Sequence, residues 1–177
     1  MIPKKTYTII TVLFAIAVFG SCTRDKDETN NDKGMANGKV TFTISGDING
    51  TKEGTSSIVT VEGDNPYYLI SNHDGNSNDD HTFSLTFYKN FIDNSITHPQ
   101  AGTYPIESVA NLSNQDGFWL VFTDMVSGKE YIGKGTISIV SNSNNQLKGT
   151  FDFIGTESYG TQGEIKVSHG QFSATIN

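Results

Sequence analysis

Beyond residue 38, apolar and polar side chains alternate in short runs, the period of a strand with one covered face. Residues 39–45 place Phe42 and Ile44 on one side. Residues 57–62 set Ile58 and Thr60 against Val59 and Val61, and residues 83–88 set Phe83, Leu85 and Phe87 against Ser84, Thr86 and Tyr88. Residues 117–122 are apolar at both phases, which predicts a central strand covered on both sides with Trp119 buried. Residues 67–71, 131–140, 147–154, 164–167 and 171–176 complete the predicted strands. Residues 102–106 form a weaker one, and Pro105, which lacks a backbone donor, assigns it to an edge. No amphipathic helical stretch of useful length interrupts the series. The pattern predicts an all-β fold: an antiparallel β-sandwich or barrel of about ten short strands, with a meander at the C-terminus.

Turn chemistry divides the runs. Asn49-Gly50, Asp74-Gly75, Ser127-Gly128 and His169-Gly170 each lie between apolar segments. If His169 and Gly170 form a two-residue hairpin loop, Val167 lies opposite Phe172 and Ile165 opposite Ala174, all on one face. Lys134-Gly135-Thr136, Lys148-Gly149-Thr150 and His169-Gly170-Gln171 share a rhythm at spacings of 14 and 21 residues. Unequal spacing excludes a solenoid and suits successive strands that each enter at a glycine.

The N-terminal segment follows another rule. Lys4 and Lys5 precede an apolar run over residues 9–19, and Gly20-Ser21-Cys22 closes it. The run is shorter than the roughly 20 apolar residues of a membrane-spanning helix. Its three parts are those of a secretory signal peptide covering residues 1–21. Phe19-Gly20-Ser21-Cys22 resembles a bacterial lipobox, with phenylalanine where leucine is commoner. Cys22 is the only cysteine, so no internal disulfide can form, and lipidation would consume its thiol. Residues 22–37 then read as a lipidated cysteine and a disordered tether, since residues 23–34 have no apolar side chain. Within it, Lys26-Asp27-Glu28 resembles the lysine-plus-acidic-pair export signal of Bacteroidetes surface lipoproteins.

Composition sharpens this picture. The whole chain of 177 residues carries a formal charge of −7. Loss of residues 1–21 removes two basic residues and no acidic one, leaving ten basic against nineteen acidic residues, or −9. Such a surface repels phosphate backbones, so nucleic acid is not an expected partner. Sixteen aromatic residues follow residue 21, too many for a disordered chain. Residues 38–177 suffice for a single β-rich domain with its own core.

The lipobox, the acidic tether, the Gly102-Thr103-Tyr104-Pro105-Ile106 segment and the meander ending in Gly170-Gln171-Phe172-Ser173-Ala174-Thr175-Ile176 together resemble the small uncharacterised surface lipoproteins of the Bacteroidetes. The resemblance covers most of residues 13–177. It implies a β-rich, outer-membrane-anchored domain facing outward and held by the lipid on Cys22. It implies no activity.

Catalytic motifs are few. The chain has no phosphate-binding loop, no dinucleotide fingerprint, no His-Glu-x-x-His and no Gly-x-Ser-x-Gly. Residues 72–81 are the densest polar cluster, and Asp74, Asn76, Asn78 and Asp80 alternate like calcium ligands. Two departures favour a solvated loop instead. Asp79 stands where the calcium loop needs glycine, and Leu85 where it needs a bidentate glutamate. His73 and His81 flank the same loop as a candidate transition-metal pair. Glu107, Asp116, Asp124 and Glu130 fall near strand ends, but no spacing joins two of them as glycoside hydrolysis requires. Tyr67 and Tyr68, being adjacent, must point to opposite faces, and the outward one is a candidate ligand contact. The expected function is a non-catalytic binding or structural module without a required cofactor, its ligand a glycan or protein. The alternatives are a lipocalin-like carrier with a cavity lined by Phe83, Phe122 and Phe151, and a carbohydrate-active hydrolase.

Overall fold

A computed structural model describes residues 37–61, 67–75, 81–93, 98–143, 145–160 and 162–176. Cys22, Lys26, Asp27, Glu28, Asn76, Asn78 and Asp80 lie outside these residues. Nine strands are described: β1 (Lys39–Gly46), β2 (Gly50–Val61), β3 (Tyr67–His73), β4 (Phe83–Asn90), β5 (Gly102–Ile106), β6 (Gly117–Asp124), β7 (Lys129–Ser143), β8 (Gln146–Glu157) and β9 (Glu164–Ile176). They close into a barrel in the order β1-β2-β3-β4-β6-β5-β7-β8-β9, and β9 returns to β1. Among the described residues no helix is long and apolar enough to cross a membrane.

Neighbouring strands run antiparallel except at two short contacts. β5 lies between β6 and β7, pairing with β7 over all five residues but with β6 only at Ile106–Phe118. Pro105 therefore sits on what is nearly an edge, as its missing donor requires. Beyond the end of β5, β6 and β7 pair directly from Val121–Ile132 to Asp124–Lys129. The end of β9 passes β1 and meets β2 at Ser57–Thr175 and Ile58–Ile176.

Alternation decides which side chains face inward. β1 contributes Val40, Phe42 and Ile44, β4 contributes Phe83, Leu85 and Phe87, and β6 contributes Phe118, Leu120 and Phe122, all buried. Phe42 sits among three of them. Its ring lies 5.2 Å from Phe83, 5.9 Å from Phe151 and 6.3 Å from Phe122. Edge-on contacts at these spacings add to the stabilisation from area burial.

Glycines occupy the inward positions where rings or strands need their space. A Cβ at Gly149 would come within 2.6 Å of the Phe172 ring, and one at Gly135 would run into the Asp152 carbonyl oxygen. Gly170 faces the Phe151 ring in the same way. The repeated glycines of the C-terminal meander are thus contact points between its strands and rings.

Two expectations are corrected. Residues 164–176 form one strand, so there is no hairpin at His169-Gly170. Val167 pairs with Ile44 and Phe153, while Phe172 pairs with Val40 and Gly149. His169, at φ 55°, is part of a β-bulge. An extra residue there shifts the alternation, so Ile165, Val167, Phe172 and Ala174 are still all buried. A two-residue turn and a bulge give the same burial pattern. The second correction concerns β6, which is covered on one face only. Trp119 and Val121 lie on the outer wall, half-buried, because a closed barrel has no second layer outside it.

Candidate functional site

Asp74, at the end of β3, reaches across to the start of β4. Its carboxylate accepts hydrogen bonds from the Thr82 N–H at 2.5 Å, the Phe83 N–H at 3.0 Å and the Thr82 hydroxyl. Burial would lift the Asp74 carboxyl, but these donors outweigh it and hold it below the usual carboxylate range. The His73 and His81 rings lie 4.0 Å apart, tilted at 34°. Nδ1 of His73 bonds the Thr55 hydroxyl at 3.1 Å, and Nδ1 of His81 meets the Asp74 carbonyl oxygen. The loop thus brings the two histidines together as a stacked pair. Among the described residues no three His, Cys, Asp or Glu side chains gather as a metal-binding group.

Of the four carboxylates singled out in the sequence, three are engaged locally. Glu107 accepts from Asn111 Nδ2 at 2.9 Å and pairs with Lys134 Nζ at 3.5 Å; these contacts hold its carboxyl low, the Asn111 bond most. Asp116 accepts the Ile92 N–H at 2.9 Å. Asp124 accepts from the Ser127 hydroxyl at 2.5 Å within the β6–β7 turn. Glu130 lies on the outer face opposite Thr123.

A different charged group assembles at that end of the barrel. Lys129 Nζ lies 3.7 Å from Asp47 Oδ2 and 3.5 Å from Glu157 Oε2. The Tyr131 hydroxyl donates to Asp47 at 3.3 Å, and the Gly163 N–H donates to Glu157 at 3.3 Å. Burial, then the Asp47 charge, pushes the Tyr131 phenol up to about 12. The cluster joins the β1–β2, β6–β7 and β8–β9 connections. Its members are scattered through the sequence, so only the barrel register brings them together.

The opposite end is aromatic. Tyr68 is 1% exposed and faces inward, whereas Tyr67 is 45% exposed on the outer wall. Tyr67 is therefore the outward member of the pair, and Tyr68 is a core residue. Phe91 stacks on Tyr104 at 5.3 Å and meets Tyr68 edge-on at 6.0 Å. Lys89 Nζ stands 5.2 Å above the Tyr68 ring. Among the described residues, the Tyr68 hydroxyl and His98 Nε2 are buried without hydrogen-bond partners. Burial, with Tyr104 and Asp116 nearby, pushes the Tyr68 phenol well up, and burial pushes the His98 imidazole down.

The outer wall carries a feature that sequence reading missed. Val59 pairs with Leu69, Leu69 with Tyr88 and Tyr88 with Trp119. These four side chains form one apolar row across β2, β3, β4 and β6. The Tyr88 and Trp119 rings lie 5.0 Å apart at 31°. Tyr67 stands beside the row on β3, and Val121 beside it on β6. The outward positions within 55–59, 67–73, 84–90 and 119–123 hold no Asp, Glu, Lys or Arg. The row depends on β4 pairing with β6 past β5, which strand periodicity does not encode.

Compared with known protein families, curated proteins and solved structures, the chain matches none.

Proposed function

We propose that this chain is an outward-facing, outer-membrane-anchored lipoprotein, held by lipid on Cys22, whose barrel is a non-catalytic binding module. The observation that carries the module reading is the barrel interior. Phe83, Phe122 and Phe151, the residues that would line a carrier's cavity, all pack on Phe42. A filled interior leaves the outer wall as the place to meet a partner. The sequence features of residues 1–28 support the anchoring and the export. Calcium is not needed for this reading, because Asp74 is already occupied as a loop brace.

Labelled palmitate fed to producing cells tests the anchor. Incorporation is expected in the natural chain and not in Cys22→Ala, and equal labelling of both would refute it. Proteinase added to intact cells should degrade the barrel; protection until lysis would place the domain in the periplasm.

One observation favours a hydrolase as the second reading. Asp47 and Glu157 are two carboxylates brought together, the arrangement that glycoside hydrolysis uses. Here Lys129 lies between them and pairs with both. Asp47→Asn and Glu157→Gln would abolish turnover of any substrate if this pair were catalytic. The module reading expects no turnover to lose.

A further inference from the structure

We infer that the row Val59–Leu69–Tyr88–Trp119 is a binding strip for an uncharged glycan chain. The inference rests on the module reading above and names its ligand class. Three features of the outer wall carry it: absence of charge, footprint and chemistry.

The mature chain carries −9, yet the outward positions within 55–59, 67–73, 84–90 and 119–123 hold no charged side chain. A charge-free face on an acidic surface suits a neutral partner. An anionic polymer meets the net field of the domain, which disfavours it. The footprint is small. Three inter-strand spacings by about 20 Å of strand give roughly 300 Å². A stable protein interface needs about 800 Å² on each partner. A second copy of this chain therefore does not find enough area here, whereas a narrow linear ligand does. The spacing also agrees: adjacent strands lie about 4.8 Å apart, close to the length of one sugar ring along an extended chain. Each side chain of the row can underlie one ring.

The chemistry is that of a sugar's two surfaces. Trp119 and Tyr88 are half-buried on the outer wall with their rings 5.0 Å apart at 31°, an aromatic pair of the kind that packs against the C–H face of a pyranose. Val59, 42% exposed, and Leu69 extend the apolar strip. The hydroxyls of Ser57 and Ser71 lie along the neighbouring row, where they can exchange hydrogen bonds with ring hydroxyls.

Trp119 is the only tryptophan, so its emission reads this strip directly. The experiment titrates the full chain, purified in a sugar-free detergent, with soluble starch, dextran, laminarin, xyloglucan and galactomannan, and with alginate as the acidic control. At least one neutral polysaccharide should shift Trp119 emission saturably, and alginate should not. Val59→Lys and Tyr88→Ser keep the reporter and should weaken binding about tenfold. Val59 is exposed enough that its replacement leaves the fold intact, which circular dichroism verifies. Failure of every neutral polysaccharide to shift the emission overturns the inference. So does a shift driven only by protein concentration, which would reveal a second copy, or only by lipid vesicles. Binding that both variants leave unchanged overturns the strip and leaves the module reading standing. Binding lost in the variants but accompanied by new reducing ends keeps the strip and overturns the non-catalytic reading instead.

Discussion

The barrel has two unlike walls. Over β3, β4 and β6 the inside is aromatic, with Tyr68, Phe83, Phe87, Phe118 and Phe122, and the outside is uncharged around Tyr88 and Trp119. Over β7, β8 and β9 the inside includes Gly133, Gly135, Gly149, Gly155 and Gly170, and the outside carries Glu130, Lys134, Asp152, Glu164 and Lys166. The first wall packs ring beside ring, whereas the second sets its own rings, Tyr131, Phe151, Phe153 and Phe172, among glycines that give them room. The difference separates tasks. The glycine wall is constrained from within, and its outside interleaves these charges with exposed Ile132, Val140 and Ile154. The aromatic wall fills the interior with one face and, around Tyr88 and Trp119, sets apolar side chains on the other with no charge interleaved.

Removing volume should have the largest effect. Phe87 is fully buried and lies 5.2 Å from Phe151 of the opposite wall. Phe87→Ala should lower the free energy of unfolding by about 4 kcal/mol, the transfer and cavity cost of a buried phenylalanine. Urea denaturation measures it. A loss under about 1 kcal/mol, below the range for such truncations, would mean that the walls do not depend on each other's volume.

Adding volume to the glycine wall comes next and distinguishes two kinds of glycine. A Cβ at Gly135 meets backbone first, at Asp152 and Phe153, whereas the nearest atoms to one at Gly133 belong to the side chains of Leu120 and Phe153. Gly135→Ala should cost about 3 kcal/mol, the upper part of the usual overpacking range, and Gly133→Ala about 1 kcal/mol. Leu120→Val should relieve the strain at Gly133 and leave that at Gly135 unchanged, a coupling that a double-mutant cycle detects. Equal rescue at both positions would refute the distinction.

These contrasts mark what the sequence makes legible. Alternation locates the strands well because burial on one face is a local, period-two signal, as at Phe83-Ser84-Leu85-Thr86-Phe87. It misplaces Trp119 because an apolar run has the same appearance under a second layer or on a bare outer wall. It reads a turn at His169-Gly170 because a bulge and a two-residue loop shift the pattern alike. Tyr67 and Tyr68 are legible as one inward and one outward residue, but their assignment needs the barrel. The row from Val59 to Trp119 and the Asp47–Lys129–Glu157 cluster are illegible for a stronger reason. Both arise from cross-strand register between segments far apart in the chain, and no spacing records that register.

The smallest effect sharpens the comparison most, because it should change sign between the walls. Tyr131 belongs to the glycine wall and its hydroxyl donates to Asp47, whereas the hydroxyl of Tyr68, on the aromatic wall, is buried without a partner. Tyr131→Phe strips a hydrogen bond from a carboxylate and should cost about 1 kcal/mol near neutral pH. Tyr68→Phe removes a buried group that gains nothing and should stabilise the fold by about 1 kcal/mol. Both phenols are raised in the fold, Tyr131 from 10.0 to about 12. A raised folded value means that its stabilisation is whole below pH 10 and is lost as the pH climbs from about 10 to about 12, because the unfolded chain releases the proton first. Either variant should therefore flatten the alkaline fall in stability, even though the two differ in sign at neutral pH. Urea midpoints for the natural chain and both variants, measured at pH 7 and at intervals above pH 10, test both halves. If Tyr68→Phe destabilises as Tyr131→Phe does, the Tyr68 hydroxyl has a partner in solution, and the aromatic end is polar where the structure leaves it unpaired.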